Sequence, residues 1–210
     1  MKQWNSLEDF FKELNLQTDY VVLRNYENFL EQGVMEAHAD IDLLCRNRRE
    51  VVKVSGAVPR LKKEDSIHYY LMIRGEKVDL DLRCVGDGYY DEKWEEAMLE
   101  EKRLHEGILY VLSPVHYYYS LMYHAFVQKN KVSDDYRIRL RAMREDLGLE
   151  VANEMEDLEN YMRKNGYTYT FPEFPGGVVN FKNVSPDLIQ HDRKKEFKRK
   201  IYRFKRRILK

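Results

Sequence analysis

Two stretches of the chain gather side chains able to do chemistry: His38-Ala39-Asp40-Ile41-Asp42-Leu43-Leu44 and, further along, Lys77-Val78-Asp79-Leu80-Asp81-Leu82-Arg83. In both, carboxylates alternate with aliphatic residues, so the local period is two. A strand with that period puts Asp40 and Asp42 on one face and Ile41 and Leu43 on the other. Asp79 and Asp81 repeat the arrangement, with Val78, Leu80 and Leu82 opposite. Aspartate is depleted in strands, and neighbouring like charges repel, the more so beside a core. A cation between the acids accounts for the pattern. Hard divalent ions take oxygen ligands, one or two carboxylates together with substrate phosphates. The candidate metal ligands are therefore Asp40, Asp42, Asp79 and Asp81, the ion Mg²⁺ with Mn²⁺ as a substitute, and the chemistry phosphoryl or nucleotidyl transfer.

Elements must position those acids. Asn5 or Ser6 caps a short helix through Leu14, with Glu8 and Asp9 in its first turn. Tyr20 to Arg24 is β-branched and apolar and reads as a buried strand. Asn25 to Ala37 is a loop or short helix, Asp40 to Cys45 a second strand, and Arg48 to Ala57 a helix. His68 to Arg74 and Lys77 to Cys84 flank the turn pair Gly75-Glu76 and read as a β-hairpin. A two-glycine loop, Val85 to Tyr90, leads to a helix over Asp91 to Glu101, and a short strand, Leu109 to Leu112, stops before Pro114. Val115 to Lys129, Asp134 to Leu147 and Glu150 to Lys164 then show helical spacing, followed by an irregular stretch from Tyr167 to Gly177. The expected organisation is an α/β core over 1–113, a helical subdomain over 114–192 and a basic tail over 193–210.

Composition bounds the rest. The 210 residues include 16 Tyr, 9 Phe and 2 Trp, enough to build a core, while 34% charged residues imply a heavily solvated surface. Cys45 and Cys84 read as reduced thiols of a cytoplasmic protein. Neither a signal peptide nor a spanning helix is visible, since no apolar run approaches the roughly 18 residues a span requires. The zero net charge conceals an asymmetry: 193–210 holds 11 of the 36 Lys and Arg but 1 of the 36 Asp and Glu. An acidic body thus carries a basic end.

A short strand, a loop, a strand ending in Asp-x-Asp and a hairpin delivering a further Asp resemble the nucleotidyltransferase superfamily, which includes DNA polymerase beta and the aminoglycoside nucleotidyltransferases. Asp40-Ile41-Asp42-Leu43-Leu44 and Val78-Asp79-Leu80-Asp81-Leu82-Arg83 carry the resemblance. Tyr20 to Glu27 also resembles the opening of bacterial nucleotidyltransferase-like proteins associated with surface-polysaccharide genes. The likeness spans about residues 18–125. It implies an α+β fold, a mixed sheet with flanking helices followed by a helical subdomain, and catalytic residues Asp40, Asp42 and Asp81. Asp81-Leu82-Arg83 matches the Asp-hydrophobic-Arg context of the polymerase-like members, although Asp79 shares its face and the two roles can be exchanged. The expected partners are a nucleoside triphosphate and a small hydroxyl or phosphosugar acceptor, and the resemblance points to surface-glycan synthesis. One departure stands out. Superfamily members place Gly-Ser or Gly-Gly at the end of the first strand, where backbone N–H groups hold the triphosphate, but this chain reads Leu23-Arg24-Asn25-Tyr26. Arg24 and Asn25, with His38, are the candidate phosphate-binding residues in their stead. The departure also supports an alternative, a non-catalytic nucleotidyltransferase-like binding or scaffold module.

Other features carry two readings each. Arg46, Arg48 and Arg49 form a solvated helix start or contact substrate phosphate. Gly86-Asp87-Gly88 is a plain loop or an acceptor pocket with Asp87 on sugar hydroxyls. His116, Tyr123 and Lys129 belong to an aromatic helix that either packs as core or faces a cleft. In the tail, Phe197, Ile201, Phe204 and Ile208 fall on one helical face with Lys and Arg on the others. That helix packs back on the acidic body or makes peripheral contact with the inner face of a membrane; nucleic acid is not expected.

Overall fold

In the computed structural model, residues 2–27, 29, 40–60, 67–129, 131–150, 153–182 and 184–208 are described. The fold is α+β. The chain divides into two compact units, one formed by 1–85 with 95–113, the other by 86–94 with 114–210.

The first unit is built on a mixed sheet that includes eight strands among the described residues: β1 (Gln3–Trp4), β2 (Tyr20–Val22), β3 (Asp40–Cys45), β4 (Val58–Pro59), β5 (His68–Ile73), β6 (Glu76–Cys84), β7 (Arg103–His105) and β8 (Leu109–Val111). The path runs β1-β5-β6-β3-β2-β8-β7, with β4 paired to β5. Strands β3 and β6 at its centre are parallel, while β2 joins β3 and β5 joins β6 antiparallel. Helix α1 (Leu7–Gln17) starts where the Ser6 side chain accepts from the Asp9 N–H at 3.0 Å, and it buries Phe10, Phe11 and Leu14. Helix α2 (Arg48–Ser55) is capped by Asn47. Strand β6 shows the expected alternation, with Val78, Leu80 and Leu82 buried and Asp79 and Asp81 half-buried on the other face.

Three strands escaped the sequence pattern, namely β1, β4 and β7. Each has only two or three residues, too few to display a period of two. The hairpin turn also differs by one position. Ile73 pairs with Glu76, so the loop is Arg74-Gly75 and not Gly75-Glu76. Both loop residues have positive φ, 52° and 79°, the conformation whose twist matches the flanking strands.

Helix α3 (Glu92–Glu100) runs from the second unit into the first. The second unit is otherwise helical: α4 (Pro114–Val127), α5 (Asp134–Asp146), α6 (Glu154–Asn165), a 3₁₀ turn at Pro186–Leu188 and α7 (Arg193–Ile208). Helix α6 begins four residues later than its apolar spacing suggests, because Asn153 accepts from the N–H groups of Met155 and Glu156 and sets the start. Trp94 centres the interior, stacked on Tyr167 and edged by Tyr90, Tyr123 and Tyr161. Its indole N–H donates to His116 Nδ1 at 3.0 Å. The stretch after α6 is tied down by Asp91, whose carboxylate accepts from Thr168 N–H at 3.0 Å and from its hydroxyl at 2.6 Å.

Candidate active site

Strand register assembles the acids. Because β3 and β6 are parallel neighbours, Asp40 lies beside Asp79 and Asp42 beside Asp81. Strand β5 adds a further row, with His68 opposite Asp81 and Tyr70 opposite Asp79. Four carboxylates thus occupy two adjacent rungs of one sheet face. Two segments far apart in sequence thereby lie side by side.

The charges are met unequally. Asp42 is buried, and its Oδ1 accepts from Arg24 Nη2 at 2.8 Å, an ion pair that is itself buried. Burial pushes the Asp42 carboxyl up and nearby Asp81 adds to the shift, against the pull of the Arg24 guanidinium. Asp81 Oδ1 sits 2.5 Å from His68 Nδ1, and Asp79 Oδ2 lies 2.9 Å from Arg60 Nη1. Asp40 has no ion pair among the described residues. Burial raises its carboxyl first, then the charges of Asp42, Asp81 and Asp79, with Arg24 opposing them. The array is electrostatically loaded, and Asp40 is where the load shows.

Asn25 follows Arg24 with φ of 60°, a left-handed turn that asparagine tolerates better than most side chains. The backbone therefore bends shortly after β2. Arg24, expected to bind phosphate, is paired with Asp42. His38 lies outside the described residues, as does most of the stretch Asn25 to Ala37.

The donor set is the kind a hard divalent cation prefers, carboxylate oxygens in registered pairs. Among the described residues, however, no three His, Cys, Asp or Glu side chains are gathered as a ready cage. Asp42, Asp79 and Asp81 are turned toward Arg24, Arg60 and His68. Asp79 and Asp81 each engage their protein partner through one carboxylate oxygen.

The structure adds two residues that the sequence reading missed, His68 and Arg60. The hairpin holds the signal for His68: with the loop at Arg74-Gly75, counting back along both strands pairs it with Asp81. Arg60 follows β4, too short a strand to detect, and its N–H donates to the His68 carbonyl at 2.9 Å.

Other candidates have different partners. Arg46 binds Asp19 at 2.8 Å and also Glu96, leaving it as a strap within the first unit. Cys45 and Cys84 are register partners on β3 and β6 and are free thiols, each donating to a backbone carbonyl. In the second unit, the Asp87 carboxylate is buried and accepts from the Tyr89 N–H at 2.9 Å, shaping its own loop. Gly88 there has φ of +73°, and a Cβ would stand 2.5 Å from the Phe171 carbonyl. His116 and Tyr123 are buried in the aromatic interior, and Lys129 is exposed. A pocket of about 410 Å³ lies in this unit, lined in part by Gly86, Glu92, His191 and Lys194.

No protein-family model matches the chain, and no curated protein matches it. Among solved structures the chain is similar to an antigenic nucleotidyltransferase-like protein from Paracoccidioides brasiliensis, at 15% identity over 76% of this chain and 89% of that one, with a TM-score of 0.44. It is also similar to the antibiotic-resistance factor ANT(2'')-Ia, at 17% identity over 75% of this chain and 87% of that one, with a TM-score of 0.40.

Proposed function

We propose that the chain is a metal-dependent nucleotidyltransferase that moves a nucleoside monophosphate from a nucleoside triphosphate to a hydroxyl of a small acceptor or phosphosugar. The observation that supports this reading is the side-by-side register of Asp40 with Asp79 and of Asp42 with Asp81 on parallel strands. Asp40, Asp42 and Asp81 would hold Mg²⁺, with Asp79 beside them. The ion, when bound, neutralises triphosphate charge and lowers the pKa of the acceptor hydroxyl. Asp81 takes the hydroxyl proton as the acceptor oxygen bonds to the α-phosphorus and the bond to pyrophosphate breaks. His68 orients Asp81, Arg24 holds Asp42, and Arg60, beside Asp79, would face the phosphate charge. Positioning and charge neutralisation supply most of the rate.

Pyrophosphate release with Mg²⁺, each of the four common nucleoside triphosphates and a panel of phosphosugars tests the reading. Release is expected with one nucleotide and is lost in Asp81→Asn; no release with any combination counts against the enzyme.

A second reading, a non-catalytic binding or scaffold module, is favoured by one observation: three of the four carboxylates already carry protein partners. In that case Mg²⁺ with nucleotide leaves the melting temperature unchanged, whereas the enzyme is expected to show saturable stabilisation.

A further inference from the structure

Helix α7 turns its apolar side chains away from the unit it belongs to. Phe197, Ile201 and Phe204 are 64%, 39% and 65% exposed. The opposite side faces inward. Arg199 is only 4% exposed and donates to the Gly177 carbonyl at 2.6 Å, while the Tyr202 ring meets Phe174. With 3.6 residues per turn, positions 197, 201 and 204 form one ridge, and positions 195, 199 and 202 lie across the helix axis from it. Exposed basic residues flank the ridge on both sides, Lys194, Lys198 and Lys205 on one and Arg193, Lys200 and Arg207 on the other. A helix stabilised by its own core normally points its apolar stripe inward. This one presents it outward between two cationic rails. The Ile208 side chain lies outside the described ones.

We propose that α7 is a membrane-surface anchor that lies flat on a bilayer containing anionic phospholipid, with Phe197 and Phe204 inserted among the acyl chains and the flanking Lys and Arg at the headgroups. Charge selects the partner: 193–210 carries eleven basic residues and one acid, complementary to an anionic leaflet. The order of groups across the face selects lipid over nucleic acid. A phosphate backbone is met by cations at the centre of a contact, whereas here the centre is aromatic and the cations sit at its edges, the arrangement of an interfacial helix.

Vesicle flotation of the full chain tests this, using phosphatidylcholine vesicles with about one-third phosphatidylglycerol at low and high salt. Binding is expected, at least about tenfold weaker on pure phosphatidylcholine and weakened by salt. Phe197→Ala with Phe204→Ala is expected to weaken partitioning about a hundredfold. Because both rings are exposed, the melting temperature is expected to stay the same. Lys198→Glu with Lys205→Glu is expected to weaken it at least about tenfold. Absence of wild-type flotation overturns the proposal, and so does flotation unaffected by the phenylalanine variant. Tight binding to polyuridylate RNA without flotation, abolished by charge reversal alone, also overturns it and assigns the helix to nucleic acid.

Discussion

The carboxylate face of the first unit and the aromatic interior of the second bury polar groups in opposite ways. Around Trp94 most of the buried polar groups are neutral and hydrogen-bonded, although the buried Tyr169 hydroxyl makes no hydrogen bond. The indole N–H and the Tyr161 hydroxyl both meet His116 Nδ1, and Thr170 Oγ1 donates toward the carbonyls of Gly88 and Tyr90. On the face of β3 and β6 the groups are charged and like-signed, with Asp42 buried and Asp40, Asp79 and Asp81 half-buried. Arg24 and Arg60 pair with Asp42 and Asp79, His68 Nδ1 meets Asp81, and Asp40 is left among negative neighbours. The first arrangement is what packing and hydrogen bonding favour. The second costs stability, and a sheet that carries such a cost locally points to a site that serves something other than the fold.

The contrast can be broken or sharpened by substitution, beginning with the largest effect. Trp94→Ala removes the fully buried centre of the aromatic interior and is expected to cost about 3–5 kcal/mol in chemical denaturation. A loss under about 1 kcal/mol would mean that this interior does not depend on its central ring. Asp42→Asn comes next. From the sequence, removing one of four like charges looks harmless, but the structure places Asp42 against a buried guanidinium. Neutralising it removes the buried guanidinium's ion pair, at a cost of about 3 kcal/mol. Replacing Arg24 by Met in the same chain should recover much of that loss.

Gly88→Ala is expected to cost about 1–2 kcal/mol, since the position has a positive φ and a Cβ would meet the Phe171 carbonyl. Asp40→Asn has the smallest effect and the opposite sign. A carboxyl whose folded pKa is raised binds its proton more tightly folded than unfolded. The stability it withholds is therefore fully withheld above its folded pKa and restored as pH falls through the unfolded value of 3.8. The Asn variant should melt higher than the parent at neutral pH, with the advantage fading toward and below pH 3.8. An advantage independent of pH would remove charge repulsion as its cause.

Much of this was legible before the structure. Strand β3 begins and ends where the alternation of Asp40 to Cys45 begins and ends, and α5 and α7 follow their spacing to within a residue or so. What the sequence could not convey was partnership. Arg24 is a polar residue at a strand end, equally suited to phosphate or to a carboxylate, and only the antiparallel pairing of β2 with β3 decides for Asp42. His68 was hidden by a turn misplaced by one residue: a loop at Gly75-Glu76 would have faced Asp81 with Tyr70. The tail shows the same limit. Its periodicity located the apolar ridge but left open whether the helix packs on the body or meets a membrane, and the anchoring of Arg199 at the Gly177 carbonyl leaves the ridge facing outward.

The central claim is that the acids of β3 and β6 together bind a divalent cation. Electron paramagnetic resonance of Mn²⁺ titrated into the full chain measures this directly, because free Mn²⁺ gives a sharp signal that is lost on binding. With a nucleoside triphosphate present, the parent chain is expected to deplete the free signal beyond what nucleotide alone achieves, and Asp40→Asn and Asp81→Asn are each expected to restore most of it. Depletion no greater than that of nucleotide alone, or equal in parent and variants, would contradict the account.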